Sequence, residues 1–483
     1  MKTIKNFFLL FLGDGISYIL LFVATIYLAR VLQVAGFGQL SFAFAFFSFG
    51  SFLTNLGLVS VGTRDVAQYQ PATHNLPINA YIRNVIILRQ ILSSITFIAL
   101  LIIGLIIHKP NDVKLLIILY GLSLFPFAFI LEWLFLGLEK MFYVSLQKVI
   151  NSGIYLGLLL LLVRTPQQIK NVPIAFLIGN LSGALFLYFV YRTIKHQSEK
   201  HAQFSYNEDH GLAIKTMGQI LKSALPIGLG AILIQFSQNF NIIFLGLVKN
   251  DVEVGIFSAA NKLVFTILII DRVFCNAVFP NIARHIAWHK QHIPSLLNQL
   301  QKLILMLSIP VCIGSVLVSS RLINLIYGLN YQKSIPVFQV LIWFLFFTML
   351  NTIFTSVLIA ERRNKAYVLA IAIGVFANVI FNLILVRLLG ALGTAIALIS
   401  AELITLIVLY LTVKPFINIS FEIRHIIKPL IATAVMAVFI RLFWAKLPIV
   451  LLIVLAIFVY TIVMVLIKGI AKQDFSRYYN DIS

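Results

Sequence analysis

Charge is scarce in this chain. Only 11% of its 483 residues are Asp, Glu, Lys or Arg, against about 25% in soluble domains, which excludes a water-soluble globular fold. Acidic residues are the scarcest: 16 Asp and Glu stand against 37 Lys and Arg, a net charge of +21. No compact basic domain goes with that excess, so no nucleic-acid partner is expected. Positive-inside loops and anionic headgroups account for it. Cysteine is nearly absent. Cys275 and Cys312 both sit in apolar runs, giving neither a disulfide framework nor a metal site. HExxH, Walker A, CxxC and GxSxG motifs are missing, as are sizeable loops to carry an active site. No catalytic residue and no cofactor is therefore expected. Short segments of alternating polarity, the mark of a membrane β-barrel, are missing too.

Long apolar runs dominate instead. The chain is 60% hydrophobic, with mean hydropathy +0.99, and its runs reach the ~20 residues that a helix needs to cross a bilayer. The sequence thus predicts an all-α polytopic membrane protein with about fourteen spans, at approximately 7–32, 37–62, 84–107, 113–137, 143–163, 172–191, 218–248, 254–283, 299–320, 336–360, 367–387, 390–413, 426–444 and 447–468. The split between the eleventh and twelfth rests on the LLGALG turn at Gly390–Gly393. The apolar N-terminal run continues past Asp14 and reads as a retained first span. Starting inside, 23 Lys and Arg fall on the cytoplasmic side and 11 on the other, which predicts cytoplasmic termini.

The polar segment Tyr191–Lys215 divides six spans from eight. The expected domains are a six-helix lobe at 1–194, a cytoplasmic linker at 195–216, a second six-helix lobe at 217–413, and two further helices with a tail at 414–483. Two short echoes cross this boundary. Gly36–Ser41 (GFGQLS) resembles Glu253–Ser258 (EVGIFS), and Leu138–Val144 (LEKMFYV) resembles Ala360–Val368 (AERRNKAYV). Same-sense repeats of this kind suggest a transporter with its substrate site between the halves.

Val254–Ala283 is the most unusual span. It carries Asn261, Lys262, Asp271, Arg272 and Asn276, although an ionised side chain in a spanning helix costs about 2.5–3.5 kcal/mol. On a continuous helix Asn261, Lys262, Arg272 and Asn276 fall within about 100° of arc, with Asp271 off that stripe. A basic, wet cavity for an anion is one reading, and a buried ion-pair network the other. In the first span Asp14 aligns with Ser17, Tyr18 and Thr25, as a counter-ion or protonation site or as a wet carboxylate near the headgroups. In the seventh, Pro226 is positioned to break the helix, and Gln235 and Asn239 share a face as sugar-binding amides or interhelical glue. Arg89 and Glu132 are further ionisable residues, drawn as a pair. Asn378, Asn382 and Glu402 read mainly as packing.

Three stretches carry a family resemblance. They are YLARVLQVAGFGQLSFA (Tyr27–Ala43) with GLVSVGTRDVA (Gly57–Ala67), GIFSAANKLV (Gly255–Val264), and Glu361–Glu402 with its Asn378/Asn382 pair and Gly390–Gly393 turn. In their order the chain resembles a Wzx-type polysaccharide flippase of the MOP (MATE-like) exporter superfamily. The resemblance implies two pseudo-symmetric six-helix lobes plus two C-terminal helices, working by alternating access. The implied substrate is a polyprenyl-diphosphate-linked oligosaccharide, exported across the bacterial inner membrane for O-antigen or capsule. Lys262, Arg272, Arg89, Gln235, Asn239, Asn261 and Asn276 become cavity candidates, and Asp14, Asp271 and Glu132 charge-balancing or ion-coupling candidates. Expected partners are the lipid-linked oligosaccharide, membrane lipids, H+ or Na+ as coupling ion, and polymerase or assembly proteins. Rival readings are a multidrug/cation antiporter, a peptidoglycan-precursor flippase, and, from another class, a membrane glycosyltransferase, polymerase or ligase.

Overall fold

A computed structural model of the chain describes residues 2–69, 78–201, 214–288, 290–417 and 424–469, which form α-helices joined by short turns, with no strand among them. The chain divides into two compact units, Met1–Gly246 and Leu247–Ser483. The first holds α1 (Lys2–Asn55), α2 (Leu58–Ala67), α3 (Ile78–Ile106), α4 (Asn111–Leu122), α5 (Leu124–Phe129), α6 (Glu132–Gly137), α7 (Met141–Leu162), α8 (Asn171–His201) and nearly all of α9 (Ile214–Val248). The second holds α10 (Asp251–Ile267), α11 (Ile269–Trp288), α12 (Ile293–Ile326), α13 (Ser334–Leu341), α14 (Trp343–Ala360), α15 (Asn364–Val413), α16 (Arg424–Leu442) and α17 (Ile449–Leu466).

The division falls inside α9, whereas the sequence assigns that helix to the second lobe. Two glycines explain why α9 groups with the first unit: Gly228 lies against the backbone of Leu56, and Gly246 lies under the ring of Phe42. Of the expected linker, residues 202–213 lie outside the described residues, as does the tail from 470 onward. α9 is continuous through Pro226, so the expected break there is not found.

Eleven described segments are helical, long and apolar enough to cross a membrane. Two of them, Leu10–Ala67 and Asn364–Val413, run to 58 and 50 residues, far beyond the ~20 residues of one crossing. Each is interrupted, by Gln33 at φ 57 in α1 and by Gly390 at φ 55 in α15. Both breaks lie at or beside the gaps read from the sequence. The eleven segments leave out α9 and count each of these two as one, where the sequence reading has one span for α9 and two for each of the others. At the second break the chain doubles back: Gly393 abuts the carbonyl of Leu385, and the Ala391 N–H donates to Glu253 Oε2 at 2.7 Å.

Other spans are less regular than expected. Residues 113–137 form three pieces, α4 to α6: Ser123, still helical in φ/ψ, divides α4 from α5, and Ile130, extended (ψ 118), divides α5 from α6. Residues 254–283 and 336–360 are each divided, at Leu268 and Ile342. There the backbone bonds run on (Leu268 N to Val264 O, 2.9 Å; Ile342 N to Phe338 O, 2.9 Å), so these are kinks. The second sequence echo has a backbone counterpart. Helices α6 and α14 both end in a left-handed residue, Glu139 (φ 54) and Arg362 (φ 57). Lys140 N bonds Phe135 O and Arg363 N bonds Leu358 O, each at the same offset, the Schellman closure of a helix end. The register is set by Glu139 and Arg362, one residue away from a Glu-to-Glu alignment.

Packing follows the apolar residues. In the first unit Leu58, Val61, Trp133, Phe135 and Val144 form a buried cluster to which α9 adds Ile220 and Ala224. In the second, Val318, Met436, Ile440 and Leu452 tie α16 and α17 to α12. Large apolar side chains elsewhere stay exposed, among them Leu105, Phe376, Leu388 and Leu466, as lipid-facing positions require.

Candidate functional site

Each unit carries its own group of intramembrane polar residues. In the first unit Lys148 on α7 bridges two carboxylates. Its Nζ lies 2.9 Å from Asp14 Oδ1 on α1 and 3.0 Å from Glu132 Oε1 at the start of α6. Ser17, one turn along α1 from Asp14, donates to the Lys148 carbonyl at 3.4 Å. All three charged side chains keep part of their surface accessible. The sequence places Lys148 only among cytoplasmic flanking charges. Its position within the apolar run of the fifth span was the available signal.

Arg89 belongs to a different arrangement. It is 2% exposed, and its guanidinium donates to Ile130 O at 2.9 Å and Phe127 O at 3.2 Å. The α5–α6 break leaves these carbonyls short of helical donors, Phe127 O also accepting from Ile130 N at 3.3 Å, and a bilayer core offers no water in their place. The pair drawn between Arg89 and Glu132 is therefore not formed: Glu132 bonds Lys148, and Arg89 bonds backbone. Gln235 donates to Ser48 Oγ at 3.2 Å, and buried Asn239 donates back to the Gln235 carbonyl at 3.0 Å. The structure thus brings Asp14, Glu132 and Lys148 together, with Gln235 and Asn239 on α9 as a separate pair.

In the second unit the exposed positions of α10 and α11 include Lys262, Thr266, Ile269, Arg272, Val273, Asn276 and Pro280. Their spacing of three or four residues marks one accessible face, and Lys262, Arg272 and Asn276 all lie on it. Asn261 is half-buried. Asp271, off the face, accepts from Thr352 Oγ1 on α14 at 2.9 Å. Its neighbour Asn351 donates Nδ2 to Glu402 Oε2 on α15 at 2.7 Å. Glu402, read as packing, is thereby joined to the same helix as Asp271. Its isolated carboxylate in ALISAELITLIV was signal enough by the cost argument applied to Asp271. Asn378 and Asn382 do bond each other, Asn382 Nδ2 to Asn378 Oδ1 at 2.8 Å.

The arrangement offers accessible cationic groups on a spanning segment and acids held by hydrogen bonds. Cationic side chains of this kind make charge-assisted bonds to a phosphate. Among the described residues no group of three or more His, Cys, Asp and Glu side chains is placed to hold a metal ion.

Comparison with known proteins follows the same line. Residues 3–286 match the family described as polysaccharide biosynthesis protein. A protein of Shigella dysenteriae named "Putative O-antigen transporter" is 25% identical over 415 residues, covering 85% of this chain and 100% of that protein. Among solved structures, the lipid II flippase MurJ in an inward closed conformation aligns over 98% of this chain and 99% of its own, with TM-score 0.74 and 18% identity. An inward-facing multidrug resistance MATE family transporter of the MOP superfamily aligns over 82% of this chain and 93% of its own, with TM-score 0.58 and 16% identity. At such identities these structures establish the fold, which is the one the family resemblance implies.

Proposed function

We propose, from the premise that this chain belongs to the polysaccharide biosynthesis protein family, that it is a flippase for polyprenyl-diphosphate-linked oligosaccharides. It moves them across the bacterial cytoplasmic membrane for a surface polysaccharide such as O-antigen or capsule. The observation that carries this reading is the match over residues 3–286, joined to the accessible Lys262 and Arg272 on a spanning segment. A diphosphate cannot enter hydrocarbon unaided, since stripping its hydration is prohibitive. Lysine and arginine in a wet cleft replace that hydration with charge-assisted bonds. Amides such as Gln235, Asn239, Asn261 and Asn276 donate and accept, as sugar hydroxyls require. The polyprenyl tail stays in lipid.

No bond is made or broken in this reading. Transport proceeds by alternating access, and substrate shifts the conformational populations only through its different affinity for each state. Asp14, Asp271 and Glu132 act as charge-balancing or coupling groups, H+ or Na+ supplies the drive, and both termini are cytoplasmic. Lobes at 1–194 and 217–413 are the proposed moving parts, with polymerase or assembly proteins as downstream partners.

Transport of a peptidoglycan precursor is the second reading, favoured by the structural likeness to the lipid II flippase. Both substrates present a diphosphate, so charge does not separate them. Removing the gene does. Under the first reading a lipid-linked repeat unit of the surface polysaccharide accumulates on the cytoplasmic side while the cell wall is intact. Accumulation of the peptidoglycan precursor supports the second, and accumulation of neither overturns both.

A further inference from the structure

We propose that the ion triad of the first unit, Asp14, Lys148 and Glu132, is a sugar subsite that selects a neutral or amino-bearing sugar ring over a uronic acid. This selection rests on the flippase reading and adds to it the class of glycan carried.

Lys148 Nζ holds one oxygen of each acid, Asp14 Oδ1 at 2.9 Å and Glu132 Oε1 at 3.0 Å. An ammonium has three donors, so one stays open. Among the described residues Lys148 is the bonding partner of both carboxylates, which leaves Asp14 Oδ2 and Glu132 Oε2 as open acceptors. The triad thus presents two acceptors with a donor between them. A sugar hydroxyl donates one bond and accepts others. One hydroxyl of a vicinal pair donates to Asp14, its neighbour donates to Glu132, and the ammonium hydrogen lies open to either oxygen. The array is held in place before a ligand arrives. Gly13 abuts Ser145, which draws α1 close to α7, and Ser17 donates to the Lys148 carbonyl at 3.4 Å. Such preorganisation lowers the cost of binding.

Access is the independent sign. The side chains of Asp14, Lys148 and Glu132 are 42%, 30% and 33% exposed, although all three lie in segments apolar enough to cross a membrane. Ions turned toward hydrocarbon are expensive, so this open surface faces water. A triad that only tied helices together needs no open oxygens. Tyr18 stands one turn beyond Asp14 on the same face of α1 and is 51% exposed. Its ring offers an apolar surface for the C–H face of a sugar ring and attracts the ammonium of an amino sugar.

Charge selects the class of sugar. Balancing Lys148 takes one of the two acids, and the second leaves the open face negative. Arg89 lies near enough for Glu132 to act on it, but it is 2% exposed and committed to Ile130 O and Phe127 O, so it offers a ligand no bond. Neutral hydroxyls donate to the two carboxylates, and a protonated amine does so more strongly. A uronate brings a third carboxylate, which accepts only and is repelled by the other two. This preference runs against the chain as a whole, whose net charge of +21 draws acidic glycans.

The test measures binding of three radiolabelled probes to the purified full chain in phosphatidylcholine nanodiscs. The probes are polyprenyl-diphosphate disaccharides of glucose, of glucosamine and of glucuronic acid. Wild-type protein is expected to bind the first two about tenfold more tightly than the third, the discrimination that like-charge contact supplies. Glu132→Gln and Asp14→Asn are each expected to cut that ratio to about threefold or less. The ratio is internal to each protein, so it does not depend on how much of a variant folds. Equal binding of the three probes by wild type, tighter binding of the glucuronic acid probe, or a wild-type ratio in both variants overturns the subsite and leaves the flippase reading standing. Binding of none of the probes by wild type overturns both.

Discussion

Replacing Arg89 with alanine removes a guanidinium donor from each of the carbonyls of Phe127 and Ile130, Phe127 O keeping the Ile130 N–H at 3.3 Å, where the bilayer supplies no substitute. Each bond to a charged group contributes about 1.5–3 kcal/mol, so Arg89→Ala is expected to destabilise the protein by about 3 kcal/mol or more. Arg89→Lys recovers little of this, because one ammonium cannot reproduce a two-pronged guanidinium. Thermal unfolding of the detergent-purified variants checks this: both melt below wild type. An unchanged melt with transport abolished would instead make Arg89 a substrate ligand. The sequence flags Arg89 as expensive but not what it serves, since its partners are backbone atoms exposed by a break that no Gly or Pro at 130–131 announces. Glu402 fails differently. Its environment was legible in the apolar run around it, but Asn351, its partner, lies 51 positions away. That Lys262 and Arg272 share one helix face was legible from their spacing, and both side chains are exposed there.

At the scale of elements, the turn at Gly390 shows what local sequence does determine. The excess apolar length and the LLGALG turn locate a break, and the chain turns at Gly390 with φ 55 and ψ −127. L-residues pay about 1–3 kcal/mol in such regions, and a Cβ there meets the carboxylate of Glu253. Gly390→Val is therefore expected to lower stability by at least that amount and to reduce the fraction of protein that elutes as a monodisperse peak after extraction. Wild-type elution and melting would contradict the assignment of the turn. Other interruptions were not readable. The α5–α6 break depends on Arg89 from α3, and the kinks at Leu268 and Ile342 keep their backbone bonds, so hydrophobicity passes through them unchanged. Glu139 and Arg362 occupy left-handed positions that glycine usually fills, which hid a repeated helix ending behind unrelated side chains.

For the whole molecule, composition alone fixed a helical membrane protein, because ~11% charge and runs of ~20 apolar residues leave few alternatives. The grouping of α9 with the first unit was not legible, since it depends on Gly228 and Gly246 meeting Leu56 and Phe42, contacts between residues far apart in the chain. The central claim is that the chain transfers a lipid-linked oligosaccharide between leaflets with the help of Arg272, without altering a covalent bond. The most direct measurement reconstitutes the purified protein into vesicles with a polyprenyl-diphosphate oligosaccharide in one leaflet and follows its accessibility to a membrane-impermeant glycosidase on the other side. Wild-type protein is expected to expose the glycan with its lipid linkage intact, and Arg272→Ala to do so at least tenfold more slowly while inserting and folding normally. Equal rates for the two proteins, exposure no faster than in empty vesicles, or recovery of a covalently altered glycan would contradict the account.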